Sequence, residues 1–509
     1  MTDALLAESP RDSDHHKFRA TFWALLALGA FFTILNLKWP IARNALCYAK
    51  TSLGLIQNHF NLFAVARNRE WANGKPLFFT VMATPFVRLF GVNLGTIIAS
   101  FLGTVFFLSM SALALPRLNK LSGVNPRLLP LELVLVMLNP LSIYQFWSAY
   151  PDSLFAALVI LSFILIDIIA TEPDRDTRWH IAGLGVTILI ALHTKLYGAA
   201  LLAMCLVYLS VYIRNFFVCA RYLPSKLALL AIFAVLIAGI LLAAKSGSYP
   251  FLDFDEGAGF GSYMNGLAHS RIAFIISSLK MLAFAIVLAF HVLLFLLFGR
   301  TARCKWAWAP TLFIFIYMLG LLPFPGTGYN MRYFLPAFLF LAPPLAAGVA
   351  SLGIPMRRAL LGAYGILAVL LILAFNLAAA QRVVAPSIAT ATKYFRLNLW
   401  LDNLRLPVHV ALREQIDSVN RQVLPGSVLY WSSHYYGTTT HGLAEHLGVK
   451  GGLQIRYVLD DSEIPPQADS IFLIEFTAGA PPDTLTGTPI RTNVTPLGHG
   501  LFRLDPISK

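Results

Sequence analysis

Apolar residues along this chain come in long unbroken runs rather than in amphipathic stripes. The runs at 21–37, 153–170, 227–244, 272–298 and 359–380 each approach the roughly 20 residues a helix needs to cross the hydrocarbon core of a bilayer. In lipid, a helix satisfies its own backbone groups, which an open strand cannot do. The pattern predicts spans near 20–38, 94–115, 129–148, 153–171, 180–194, 196–213, 227–245, 272–298, 307–323, 333–352 and 359–380. The stretch 76–91 is also apolar, but it sits too close to the next run to be a separate span. It reads as an interfacial or half-inserted helix.

The weakest division is the one inside 180–213, where His193–Thr194–Lys195 interrupts an otherwise apolar run. A single span there would invert everything that follows and place three cationic loops outside. Two short spans with Lys195 at the outer surface agree better with the loops, and paired interrupted segments often mark a site at membrane depth. After residue 381 the composition turns polar, with Pro/Gly punctuation. A helix-like stretch at 408–423 is followed by strand-like runs at 428–431, 454–459, 470–476 and 500–504. The expected architecture is an α-helical polytopic membrane protein of about eleven transmembrane helices with a small outward-facing α/β domain at its C-terminus. The divisions are a cytoplasmic tail at 1–19, a transmembrane domain at 20–380 with outward loops at 39–93 and 246–271, and the α/β domain at 381–509.

Composition agrees. Of 509 residues, 57% are hydrophobic and only 13% charged, about half the charged share of a soluble domain. The net charge of +14 does not point to nucleic acid, because the cations are scattered through short loops between apolar runs, where they orient the spans. One set of loops carries Arg117, Lys120 and Arg127; Arg175 and Arg178; Arg214, Arg221 and Lys226; Arg300, Arg303 and Lys305; Arg357 and Arg358. With a cytoplasmic N-terminus all of these fall on the cytoplasmic side of the plasma (inner) membrane, and the C-terminal domain lies outward. His15, His16, Lys17 and Arg19 precede the first run with no small-residue cleavage site after it, the form of a retained signal-anchor. Four cysteines, at 47, 205, 219 and 304, show neither metal-ligand spacing nor a disulfide pattern.

No Walker A motif, G-x-S-x-G elbow or H-E-x-x-H pair is present. What remains for chemistry is a set of charges at the outward ends of spans. Asp152 stands between two apolar helices in Tyr150-Pro-Asp-Ser153. It fits a helix N-cap, a proton acceptor, or both at once. Lys195 fits either a lysine snorkelling to the interface or a cation gripping an anionic head group. Arg332–Tyr333 opens the tenth span after a Gly/Pro-rich turn, and a planar guanidinium there suits phosphate as well as interface anchoring. Asp253, Asp255 and Glu256 form an acidic stretch in the 246–271 loop, read as solvated surface or as a base or metal ligand. His434, His441 and His446 match no standard zinc spacing.

The segment from Asn73-Gly-Lys-Pro-Leu-Phe-Phe to Phe90-Gly91-Val-Asn93 resembles the KPPL…FG segment that follows the first outer loop of GT-C glycosyltransferases. The type it is most similar to is the lipid A aminoarabinose transferase and protein O-mannosyltransferase one. The acid in Tyr150-Pro-Asp-Ser153, the Thr194–Lys195 step and Arg332-Tyr-Phe-Leu-Pro336 extend the resemblance in order over 20–350. The resemblance implies an outward active site and a transfer of sugar from a polyprenyl-phosphate donor to a glycan, lipid or protein acceptor. It implies membrane lipid as a partner and leaves any divalent metal open. Asp152 matches the family's second outer-loop acid as candidate base, and Lys195, Arg332 with Tyr333, and Lys75 are candidate substrate ligands. The chain departs from the pattern where the family has an acidic pair, near Asn44–Ala45. Glu70, the one carboxylate of the first loop, and Asp253 are then alternative catalytic acids. A transporter of lipid-linked glycan and a catalytically inactive relative acting as a scaffold are the competing expectations.

Overall fold

The computed structural model describes residues 12–36, 43–67, 77–139, 142–143, 151–172, 176–195, 223–245, 335–376, 406–432, 448–458, 470–474, 494–498 and 501–504, together with 198, 201 and 205. The expected spans at 272–298 and 307–323, most of that at 196–213, and the candidates Glu70, Lys75, Asp253, Arg332 and Tyr333 lie outside these residues.

The helices are α1 (Asp12–Asn36), α2 (Arg43–Gln57), α3 (Leu62–Arg67), α4 (Leu77–Ser122), α5 (Leu129–Met137), α6 (Asp152–Thr171), α7 (Arg178–Leu192), α8 (Leu223–Lys245), α9 (Leu335–Ala350), α10 (Ile354–Asn376) and α11 (Leu406–Gln422). Among the described residues, stretches of α1, α4, α6 and α8 are long and apolar enough to cross a membrane, and α7 and α9 are shorter apolar helices. The chain is a multi-pass membrane protein. Polar residues inside its spans cost little because they bond back to their own helix. Thr96 Oγ1 donates to the Val92 carbonyl at 2.7 Å and Ser162 Oγ to Leu158 at 2.9 Å.

Two expected irregularities are present. Helix α4 is broken at Gly91, whose φ of 80° and ψ of 175° fit no helix and favour a residue without Cβ. Its first part is about 21 Å long, too short to span, and it folds back so that the Phe86–Val87 backbone lies against Gly95, where a side chain would collide with it. The half-inserted helix expected at 76–91 is therefore a separate segment. Helix α7 ends at Leu192, and His193–Lys195 forms the turn expected in the middle of 180–213.

The segment expected as the first outward loop, by contrast, is helical over Arg43–Gln57. All of 45–55 in α2 is buried, including Lys50, Thr51 and Ser52. The helix packs on α4, with Tyr48 edge-on to Phe79 at 5.2 Å and Ser52 Oγ donating to the Thr80 carbonyl at 3.1 Å. Helices α4 and α6 approach closely at Gly103, where an added Cβ would stand 3.1 Å from Leu154. Thr104 Oγ1 donates to Ser153 Oγ across the same contact at 3.3 Å. Small residues at such crossings replace the hydrophobic drive that lipid removes.

The C-terminal unit is a five-stranded sheet, β1 (Val428–Ser432), β2 (Gln454–Val458), β3 (Ser470–Ile474), β4 (Val494–Gly498) and β5 (Leu501–Leu504), in the order β2-β1-β3-β5-β4. β1 is parallel to β2 and β3, while β5 runs antiparallel to β3 and β4. The four expected strands are present; β4 was not expected. Helix α11 packs by Ile416 and Val419 into a core that holds Leu429, Trp431 and Leu501.

Candidate active site

Helix α6 orients the charges. It rises from Asp152, and at its far end Arg117 of α4 bonds Asp167 at 2.8 Å and Glu172 at 3.1 Å. The same end holds the Asp176–Arg178 pair at 2.7 Å, and Lys226 at the start of α8 acts on Asp176 as well. Bonds from the Arg178 side chain and backbone hold the Asp176 carboxyl down at about 2. Three of the cation-bearing loops thus meet at one end of the bundle, and Asp152 lies at the other, about 30 Å away along the helix.

Asp152 does not cap α6. Pro151 holds the cap position and makes no side-chain bond, and Asp152 is the first helical residue. Its carboxylate, 1% exposed, instead pairs with Lys195 across 3.3 Å between Oδ1 and Nζ. An acid in the first turn is favoured by the helix dipole, and a buried charge requires a partner of opposite sign. The lysine does not snorkel into water either. It is 8% exposed and lies 6.0 Å from the centre of the Tyr48 ring. Tyr48, on α2, was not singled out in the sequence. Its signal there was weak, one aromatic in a polar segment.

The turn that presents Lys195 is held from several sides. Lys195 N–H donates to the Ala191 carbonyl at 2.9 Å, and Thr194 Oγ1 donates to Ile190 at 2.8 Å. Phe78 N–H, in the first turn of α4, donates to the His193 carbonyl at 2.6 Å. Four elements therefore converge, with Asp152 from α6, Lys195 after α7, Tyr48 from α2 and Phe79 from α4. Lys75 stands two residues before the start of α4 in the sequence. Ala45, near the position where an acid was expected, is fully buried on α2. Among the described residues no group of three or more His, Cys, Asp or Glu side chains could hold a metal ion.

A bundle of apolar helices with a short segment folded back at Gly91, a charged pair at one end and a small α/β unit defines a polytopic membrane protein with a GT-C-like fold. The particular likeness is to ArnT, a lipid A aminoarabinose transferase. The crystal structure of ArnT from Cupriavidus metallidurans bound to undecaprenyl phosphate matches with a TM-score of 0.56, at 13% identity, over 96% of this chain and 97% of that one. The same protein in the apo state matches with a TM-score of 0.51, at 15% identity, over 83% of this chain and 84% of that one. At these identities the likeness is one of fold. No family model and no curated protein matches the sequence.

Proposed function

We propose that this chain is a membrane glycosyltransferase that moves a sugar from a polyprenyl-phosphate donor to a glycan, lipid or protein acceptor at the outer face of the plasma membrane. The observation that carries the reading is the buried Asp152–Lys195 pair, at the end of an ArnT-like bundle opposite the cation-rich loops. The ArnT crystal structure holds undecaprenyl phosphate, which supports a lipid phosphate as the donor's carrier here.

The acceptor hydroxyl attacks the anomeric carbon. The bond from that carbon to the phosphate oxygen breaks, and its electron pair leaves with the phosphate. The hydroxyl proton passes to the Asp152 carboxylate. Lys195 offsets the charge that grows on the leaving phosphate, and in a dry site that attraction is stronger than in water. Arg332 with Tyr333, and Lys75, complete the phosphate clamp. Glu70 and Asp253 are the carboxylates to examine next if Asp152 is not the base. The test is to incubate the purified protein with radiolabelled polyprenyl-phosphate sugars and envelope fractions. Label moving into an acceptor with wild-type protein but not with Asp152→Asn supports the reading. Equal transfer by both proteins removes Asp152 from the chemistry.

A further inference from the structure

His193 sits two residues before Lys195, and its ring Nδ1 lies 2.8 Å from the Leu189 carbonyl oxygen. A carbonyl only accepts, so Nδ1 carries the proton and donates. The His193 backbone N–H donates to the same carbonyl at 3.1 Å, and its own carbonyl accepts from Phe78 N–H. One residue thus closes the end of α7, fixes its ring against that end and receives the first turn of α4. Exposed carbonyls at a helix end are costly at membrane depth, so this closure has a large effect on where the chain after Leu192 can go.

We propose that His193 is a positioning residue for Lys195. Its Nδ1–H bond to Leu189 locks the turn whose next-but-one residue must reach both Asp152 and the donor phosphate. The second half of this statement rests on the proposed role of Lys195; the first half does not. The ring acts through the turn and takes no part in proton transfer.

Side-chain geometry separates the alternatives. Asn places its amide N–H where Nδ1–H stands, whereas Gln places it near the Nε2 position. The experiment uses the full-length protein in lipid nanodiscs. Thermal midpoints are measured for Asp152→Asn, Lys195→Met and the double variant, each with His, Asn, Gln or Ala at 193, and the departure from additivity reports the Asp152–Lys195 coupling. We expect coupling to persist with Asn and to collapse with Gln and Ala. Coupling that survives in His193→Ala, or any pattern that fails to separate Asn from Gln, overturns the proposal.

Donor kinetics give a second reading on the single 193 variants, which keep both Asp152 and Lys195. The donor KM should rise roughly fivefold to tenfold with Ala and Gln, by loss of one hydrogen bond's worth of ordering, and stay near wild type with Asn. Near-normal turnover with Gln alone would assign the ring a role through Nε2 and overturn the proposal. If the thermal pattern holds while the donor KM is the same in every variant, His193 still positions Lys195, and it is the phosphate-binding reading of Lys195 that fails.

Discussion

At the scale of single residues, Asp152 and Lys195 are linked, and removing one changes the meaning of the other. A buried pair adds little net stability, but stripping one partner leaves an uncompensated charge and costs about 3 kcal/mol or more. Asp152→Ala should therefore lower the thermal midpoint as well as abolish transfer. Asp152→Asn keeps an oxygen for Lys195 to bond and should fold, yet it cannot take a proton. We expect transfer to drop at least about 100-fold, with a smaller loss of unfolding temperature than Asp152→Ala shows. Replacing both, as Asp152→Asn with Lys195→Met, should recover stability without recovering activity, as followed by differential scanning fluorimetry and label transfer. Recovered transfer would mean the pair is architectural. Both residues were legible in the sequence, because charges at the ends of apolar runs stand out against so little other charge. Their contact was not legible. They are separated by the whole of α6 and α7, and only the antiparallel return of α7 along α6 brings them to the same end. The capping role open to Asp152 also gave way, because Pro151 takes the cap position and Asp152 is the first helical residue.

At the scale of elements, the crossing of α4 and α6 sets where Asp152 stands. Gly103 lies against the backbone of Leu154, two residues after the acid. Gly103→Val cannot be absorbed by a flexible side chain, since part of what it meets is main chain. We expect about 1–3 kcal/mol of destabilisation and a loss of turnover beyond what the stability loss explains, checked by comparing kcat with the folded fraction. At the other end of the same helix, Arg117→Ala should lower stability but leave the donor KM unchanged, because its partners Asp167 and Glu172 lie a helix length from Lys195. A shifted donor KM would mean that the two ends are not independent. The long apolar helices, the separate short segment before Gly91 and the break at His193–Lys195 were all readable from runs and interruptions. Helix α2 was not, because Asn44, Lys50, Thr51 and Ser52 give it the composition of a loop, and its burial depends on α4 covering it. Strand β4 was hidden by Pro496 and Gly498, which weaken any strand signal. The sheet tolerates them because β4 is an edge strand, with a register shift between those two residues.

At the scale of the whole molecule, sidedness decides whether the site can work. The loops carrying Arg117, Arg178 and Lys226 gather at one end and the Asp152–Lys195 pair at the other, which agrees with a cytoplasmic N-terminus and an outward site. Reporter fusions after residues 225, 255 and 400 should read inside, outside and outside. An inside reading at 400 would separate the C-terminal sheet from the proposed site.

Helix α6 is tied to charges near both of its ends, to Lys195 at Asp152 and to Arg117 at Asp167. Its 20 residues set a length of about 30 Å. Most spans answer a bilayer of the wrong thickness by tilting, at modest cost. A span fastened at both ends tilts only by dragging one ion pair with it. On the proposed function, this fastening predicts that transfer depends on membrane thickness. Transfer in nanodiscs of increasing acyl length should pass through a maximum near matching thickness and fall on both sides. Arg117→Ala, which frees the far end, should flatten that curve while leaving its peak rate close to wild type.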